Sequence, residues 1–233
     1  MAGRIVPVTR LAEPAGAALG ALFGGMAALR GGKPVHPDGH VYGAVVRRTG
    51  SPRRWGSSWL DDAGEDRGIA RLSRAAGLPE PLPDVHGLAV SFTGMDGRRH
   101  DVLLATTGLG RWTRFALRPT RRIRAPYGSL MPYQAPRGHV LLAAVPVPRP
   151  LTPPENVMAF RLLAATPTGP WRPFGSLELS RRPGSPVDDP VRFDPVRHLL
   201  PGLRWPPVLA RLREPAYAAA RRTAVSPAGH TEA

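Results

Sequence analysis

The chain has 233 residues, a length that fits one domain with a full hydrophobic core. Its formal net charge of +15 comes almost entirely from arginine, since Lys33 is the only lysine, and the arginines are scattered as short doublets. No basic stripe with interleaved aromatic residues is present, so the charge alone does not indicate a nucleic-acid groove. The chain has no cysteine, which excludes disulfides, thiolate metal sites and iron–sulfur clusters, and leaves nitrogen and oxygen ligands to hold any cofactor.

The first predicted element is a helix over the apolar run AGAALGALFGGMAAL (15–29). The run is too short to span a bilayer, although the arginines before it give it a superficial likeness to a signal peptide. We favour a helix packed on the core over a cleaved signal, and we expect a cytoplasmic protein. A strand at HVYGAVVRR (40–48), a loop over 51–65 and a short helix at GIARLSRAAGL (68–78) follow.

Three predicted hairpins come next, each made of two apolar stretches joined by a turn that contains glycine or proline. They pair 86–92 with 100–107, 127–134 with 139–147, and 156–166 with 174–182. Six or more strands joined by short turns indicate an antiparallel sheet that closes or nearly closes. From Pro206 the chain is rich in Ala, Leu and Arg, which predicts a helix that Pro215 must kink or restart. We therefore expect an α+β fold, with an antiparallel β-barrel core and flanking helices.

The segment KPVHPDGH (33–40) holds three polar side chains at alternating positions: His36, Asp38 and His40. On spacing alone they could offer nitrogen and oxygen ligands to a metal. Pro37 and Gly39 argue against a regular strand there, and carboxylates are scarce in the chain, so a polar turn with one functional histidine at most explains the segment better. The usual motifs of serine hydrolases, zinc proteases, P-loop proteins and dinucleotide-binding proteins are absent from the sequence.

Three groups of segments carry a further pattern. In KPVHPDG (33–39) a basic residue precedes a histidine by three positions, and a glycine follows that histidine by three. ARLSRAAG (70–77) contains arginine-x-serine and is followed by the strands DVHGLAVSF (84–92) and HDVLLATT (100–107). In FDPVRHLLPGLRWPPVLARLREPAYAAARR (193–222) an arginine stands four residues before a tyrosine. Their order and separation resemble the catalase superfamily of haem proteins, in particular short members that keep the barrel core.

The resemblance implies one haem b held between His36 and Tyr217. Tyr217 takes the position of the tyrosine that ligates the haem iron, and Arg213, one helical turn before it, would favour the phenolate. His36 takes the position of the distal histidine, which shuttles a proton from the near to the far oxygen of a bound peroxide. Ser73 matches a residue that orients this imidazole. The basic positions matched to cofactor binding are Lys33 and Arg71, near the haem propionates, and Arg222.

Several positions depart from the family pattern. Thr106 stands where catalases place an asparagine near the distal histidine, and a threonine can donate a hydrogen bond but lacks the amide geometry. His86 stands where the family usually has arginine, and Pro215 lies inside the predicted ligand helix. These departures argue against efficient dismutation of hydrogen peroxide. They leave haem-dependent peroxidase chemistry, metabolism of organic hydroperoxides as in relatives of allene oxide synthase, or plain haem binding.

We therefore expect an N-terminal segment over 1–19, a catalase-like haem-binding domain over 20–225 and a C-terminal tail over 226–233. The expected substrate is a peroxide or organic hydroperoxide, the expected assembly is a monomer or homodimer, and no membrane span and no specific nucleic acid is expected. Three alternatives stay open. They are a haem-free catalase-like protein that binds another small molecule, a metal-dependent phosphodiesterase that uses His36, Asp38 and His40, and a basic nucleic-acid-binding module.

Overall fold

The computed structural model describes residues 39–74, 81–148, 157–181 and 193–206, all of which belong to one compact unit. These residues are mostly in strands. The elements in chain order are β1 (Gly39–Thr49), α1 (Ser58–Asp61), β2 (Ala63–Arg74), β3 (His86–Thr93), β4 (Arg99–Thr106), a 3₁₀-helix (Thr113–Phe115), β5 (Tyr127–Gly128), β6 (Tyr133–Ala135), β7 (Gly138–Pro146), β8 (Val157–Ala165) and β9 (Arg172–Arg181).

Eight of these strands form one closed antiparallel barrel. The strand order is β5-β4-β3-β2-β1-β9-β8-β7, and the pairing of β5 with β7 closes the ring. β6 pairs only with β7 and lies outside the ring. Closure gives every barrel strand a hydrogen-bonded neighbour on each side, which is how such folds remove exposed sheet edges.

The hydrophobic core lies inside the barrel because successive side chains of a strand point to opposite faces of the sheet. The register places Leu72 opposite Leu88 and Leu88 opposite Leu104, and all three side chains are buried. Across the ring, Phe160 pairs with Leu177, and both are buried as well. Alternate residues of each strand therefore fill the interior, and the residues between them form the outer face.

The two ends of the barrel differ in chemistry. α1 covers one end with Trp59, whose indole stacks on Phe92 at a centroid distance of 5.8 Å and meets the edge of Phe174 at 5.3 Å. The opposite end carries polar interior residues, including His86 and Thr106. The chain from 117 to 126, which we call the 117–126 loop, runs past this polar end.

Residues 193–206 run along the edge of β4 that β5 leaves unpaired. Asp101 donates its backbone N–H to the carbonyl of His198 at 2.8 Å. Further along, the N–H and C=O of Arg204 both bond to the backbone of Gln134 in β6. Trp205 then packs on Tyr133 with ring centroids 4.1 Å apart. The segment thus connects β4 with β6 outside the ring.

Several sequence predictions are confirmed. The strand at 40–48, the hairpins at 86–107 and 156–182, and the closed antiparallel sheet are all present. The hairpin predicted over 127–147 contains three strands instead of two. The chain leaves the ring after β5, and the turn that follows contains Leu130 with a positive φ of 59°, before β6 and β7 form.

The predicted α+β class with flanking helices is wrong for the described residues, which are mostly β with one four-residue α-helix and one three-residue 3₁₀-helix. The helix predicted over 68–78 is wrong over 68–74, which belongs to β2 and is paired on both sides, with β1 and β3. The loop predicted over 51–65 holds α1 and the start of β2. The helices predicted over 15–29 and from Pro206 onward, and the predicted domain limits at 20 and 225, lie outside the described residues. None of the helices that the structure describes is long and apolar enough to cross a membrane.

Candidate functional site

Arg71 and Ser73 lie together on the outer face of β2. The sequence predicts them at the start of a helix, where residues two apart point in different directions. In a strand, residues i and i+2 share a face, so β2 brings the guanidinium and the hydroxyl to the same side of the sheet. Ser73 is buried and Arg71 is half-buried.

A strip of small residues crosses the sheet at Ser73. The register aligns one position from each of four neighbouring strands on this outer face: Gly39, Ser73, Gly87 and Ala105. Because glycine has no side chain and alanine projects one methyl group, the strip has low relief, and a flat group could lie close to the backbone there. The sequence motifs do not single out these small residues. Only the strand register shows that they align.

Gly39 makes room for the side chain of Arg71. A Cβ atom built on Gly39 would lie 2.6 Å from Nε and 2.8 Å from Cζ of Arg71. The guanidinium group therefore rests against the bare backbone of β1, and any larger residue at position 39 would displace it. The missing side chain of Gly39 thus determines where the positive charge of Arg71 lies beside the strip.

Thr106 lies on the other side of the sheet from Arg71 and Ser73. It pairs with Tyr127 on the interior face, is buried, and accepts a hydrogen bond on Oγ1 from the backbone N–H of His86 at 3.1 Å. The outer position beside it belongs to Ala105. The structure thus brings Ser73 together with Ala105 instead of Thr106, because a shift of one residue along a strand changes the face.

The polar interior end of the barrel contains two tyrosines with perturbed acidity. Burial raises the pKa of Tyr127 well above its usual range, and the neighbouring Tyr42 raises it further. Its hydroxyl donates to the carbonyl of Ile123 at 2.6 Å. Burial also raises the pKa of Tyr42, while Arg181 acts in the opposite direction. Both phenols are therefore protonated at neutral pH, and neither is available as a phenolate ligand.

Asp101 connects β4 with the segment 193–206. Its carboxylate accepts hydrogen bonds from the backbone N–H of Asp194 at 2.7 Å, from Nδ1 of His198 at 3.0 Å and from Nε of Arg99 at 3.0 Å. Burial alone would raise the pKa of Asp101, but these hydrogen bonds and one with Ser91 outweigh it and hold the pKa below its usual value. The ionised carboxylate is a structural anchor here.

The other predicted site residues fall mostly outside the described residues. This holds for His36 and Asp38, and also for the four remaining haem-related positions: Lys33, Arg213, Tyr217 and Arg222. The third member of the possible metal site, His40, is exposed near the start of β1. Within the described ranges, no group of three or more histidine, aspartate or glutamate side chains is arranged to hold a metal ion.

Comparisons with known proteins support the fold. No protein-family model matches the chain, and no curated protein sequence does. Among solved structures, the chain is similar to the crystal structure of a fungal catalase, with a TM-score of 0.60 and 12% sequence identity over 86% of this chain. The match covers 62% of the catalase chain. At this identity the likeness shows a catalase-like barrel fold.

Proposed function

We propose that this chain is a haem-dependent, catalase-related peroxidase or an enzyme that metabolises organic hydroperoxides. The observation that carries the proposal is the outer face of β2, where Arg71 and Ser73 lie together on the strip of small residues. This face belongs to a barrel of catalase-like fold.

The residues on this face fit a haem. Its macrocycle is flat and largely apolar, which suits the low relief of Gly39, Gly87 and Ala105. Its propionates are carboxylates, and the planar guanidinium of Arg71, seated against Gly39, is a suitable partner for one of them. Lys33 and Arg222 are proposed to add positive charge near the cofactor, and Tyr217 with Arg213 to supply the axial ligand. When bound, haem would supply the redox centre for cleaving the O–O bond.

The proton chemistry would fall to His36. Its imidazole accepts a proton from one oxygen of the peroxide and returns it to the other, so that water can leave. Ser73 holds the ring in the orientation for this transfer through its hydroxyl. Ala105, which shares the strip with Ser73, has no polar side-chain atom, so none of the described strip residues offers an amide beside Ser73. A site without an amide donor near the distal histidine favours peroxidase or hydroperoxide chemistry over rapid dismutation of hydrogen peroxide.

The visible absorption spectrum of the full chain, purified and titrated with hemin, tests this proposal. We expect a Soret band that Tyr217→Phe removes or shifts, and that His36→Ala keeps while peroxide consumption slows. Arg71→Ala should weaken hemin binding by about tenfold, the worth of one charge-assisted hydrogen bond. The matched control is Arg67→Ala, because Arg67 lies on the same face of β2, is 74% exposed and pairs with Glu65. It should leave hemin binding unchanged.

Two outcomes would contradict the proposal. A folded chain that gives no Soret band at any hemin concentration would favour the haem-free alternative. Equal losses of hemin affinity in Arg71→Ala and Arg67→Ala would show that general positive charge, and not the face around Ser73, draws the propionates.

A further inference from the structure

A second polar site lies at the barrel end opposite α1. The 117–126 loop is held there by backbone hydrogen bonds: Thr120 and Asp84 exchange two, at 3.0 and 2.8 Å, and the N–H of Arg118 donates to the carbonyl of Thr106 at 2.8 Å. Between this loop and the end of β4 is a cavity of about 190 Å³. Its polar lining consists of three arginines and three threonines: Arg118, Arg122, Arg124, Thr106, Thr107 and Thr120.

The arginines bring unneutralised positive charge to the cavity. Among the residues that the structure describes, the side chains of Arg118 and Arg122 make no hydrogen bond and no ion pair, and Arg124 reaches only the carbonyl of Val157, at 3.4 Å. A guanidinium carries five N–H donors and no acceptor, so most of these donors are available to a ligand. Three such groups around one cavity repel each other until an anion binds.

The threonine hydroxyls add further donors. Oγ1 of Thr106 accepts from the N–H of His86, and Oγ1 of Thr120 accepts from the N–H of Arg122, both at 3.1 Å. Each hydroxyl keeps its own proton to donate. Oγ1 of Thr107 is buried without a hydrogen-bond partner in the described part of the chain. A buried polar atom in this condition costs free energy that a bound acceptor would recover.

No acidic side chain among the described residues lines the cavity. Asp84 pairs with Thr120 through its backbone, and its carboxylate lies beside Arg74, with Oδ2 3.7 Å from Nε. The lining is therefore rich in donors, and two of its three threonine hydroxyl oxygens already accept from backbone N–H groups. Such a site selects a ligand that is negatively charged and accepts hydrogen bonds in several directions.

We propose that this cavity binds a phosphate group. A phosphate presents several oxygens in a tetrahedral arrangement with a charge near two, which three guanidiniums and three hydroxyls can meet together, whereas a carboxylate offers only two oxygens in a plane. The ligand is free phosphate or a small phosphate monoester, because both present the same group. The described residues that line the site belong to the 117–126 loop and to positions 106 and 107 at the end of β4, and none of them is proposed to bind haem.

Isothermal titration calorimetry of the full chain with inorganic phosphate tests the proposal, in phosphate-free buffer held at constant ionic strength with potassium chloride. We expect saturable binding at one site per chain. Arg122→Ala and Thr107→Val should each weaken it by about tenfold, the effect of one charge-assisted or buried hydrogen bond. The control is Arg111→Ala, since Arg111 is exposed, packs over Trp112 at 5.3 Å and lies outside the cavity. It should bind phosphate like the unmodified chain.

A parallel titration with methyl phosphate distinguishes free phosphate from a phosphate monoester as the ligand. Affinity equal to that for inorganic phosphate shows that the site accepts phosphate monoesters as well as the free ion, and loss of affinity assigns it to the free ion. Both results support a phosphate site. The proposal is overturned if phosphate gives no saturable heat beyond that of chloride, or if Arg111→Ala weakens binding as much as Arg122→Ala, because the net charge of +15 would then explain the effect.

Discussion

Arg48 and Asp66 form an ion pair inside the barrel, at the end that α1 covers. Nε of Arg48 donates to the Asp66 carboxylate at 2.9 Å, and the two side chains are 5% and 2% exposed. The indole N–H of Trp59 donates to the same carboxylate at 3.0 Å, and Nη1 of Arg48 donates to the carbonyl of Asp62 at 2.9 Å. Since these partners satisfy one another, the cost of burying the two charges is offset only while both are present.

Asp66→Asn should therefore be strongly destabilising. The substitution leaves the Arg48 guanidinium buried without its counter-charge, and the expected loss in the free energy of unfolding is about 3–5 kcal/mol, measured by urea denaturation. Glu65→Gln is the matched control, because Glu65 is the adjacent residue of β2 and its ion pair with Arg47 is solvent-exposed. That change should cost at most about 1 kcal/mol. Similar losses in the two variants would contradict a special role for the buried pair.

At the scale of elements, β2 is a strand that the sequence alone does not predict. Ala70, Arg71, Leu72 and Arg74 are good helix formers, but β1 and β3 pair with this stretch on both sides. Gly68 also lies against the backbone of Ser91, where a Cβ would clash with the carbonyl oxygen, so the strand depends on a close contact that no local pattern encodes. The candidate site follows from this pairing, because Arg71 and Ser73 share a face only in a strand.

The segment 193–206 is held to β4 by an ionised carboxylate, so its attachment should depend on pH. The pKa of folded Asp101 lies below its ordinary value of 3.8, and a depressed carboxyl pKa contributes stability that is complete above the unfolded value and is lost as pH falls through the folded one. We expect stability to fall below about pH 3.8 and less steeply in Asp101→Asn, which should also lose about 1–3 kcal/mol at neutral pH. Urea unfolding across this pH range measures both effects.

Asp62→Asn is the control for that experiment. Asp62 is 61% exposed and pairs with an exposed arginine, so its replacement should change stability by less than about 1 kcal/mol at neutral pH. If Asp101→Asn keeps the full acid dependence of the unmodified chain, the carboxylate of Asp101 is not what holds the segment at low pH.

For the molecule as a whole, the sequence predicts the antiparallel barrel but not how it closes. Strands such as 86–92 and 157–165 are bounded by turns and can be recognised locally. β5 is only two residues long and falls inside a longer predicted strand, so its role in closing the ring could not be deduced. The face of each side chain depends on register, which is why Thr106, although singled out in the sequence, lies on the interior face while Ala105 occupies the outer face.

The closure at β5 should be the point at which the barrel opens first. β5 contributes two residue pairs to β4 and two to β7, whereas β1 and β2 share eleven. Side-chain packing compensates for the short ladder: Tyr127 is fully buried, its ring meets Phe160 at 5.9 Å and its hydroxyl donates to the carbonyl of Ile123. Tyr127→Ala removes this anchor and should cost about 3–5 kcal/mol.

Hydrogen exchange locates the opening. In Tyr127→Ala, backbone amides of β4 and β7 next to β5 should exchange faster than those shared by β1 and β2, because local opening exposes only the strands at the seam. Tyr127→Phe keeps the ring and loses a single hydrogen bond, so it should cost only about 1 kcal/mol and leave the exchange pattern nearly unchanged. If the exchange of β1 and β2 amides speeds up as much as that of amides next to β5, the barrel unfolds as one unit and does not open first at β5.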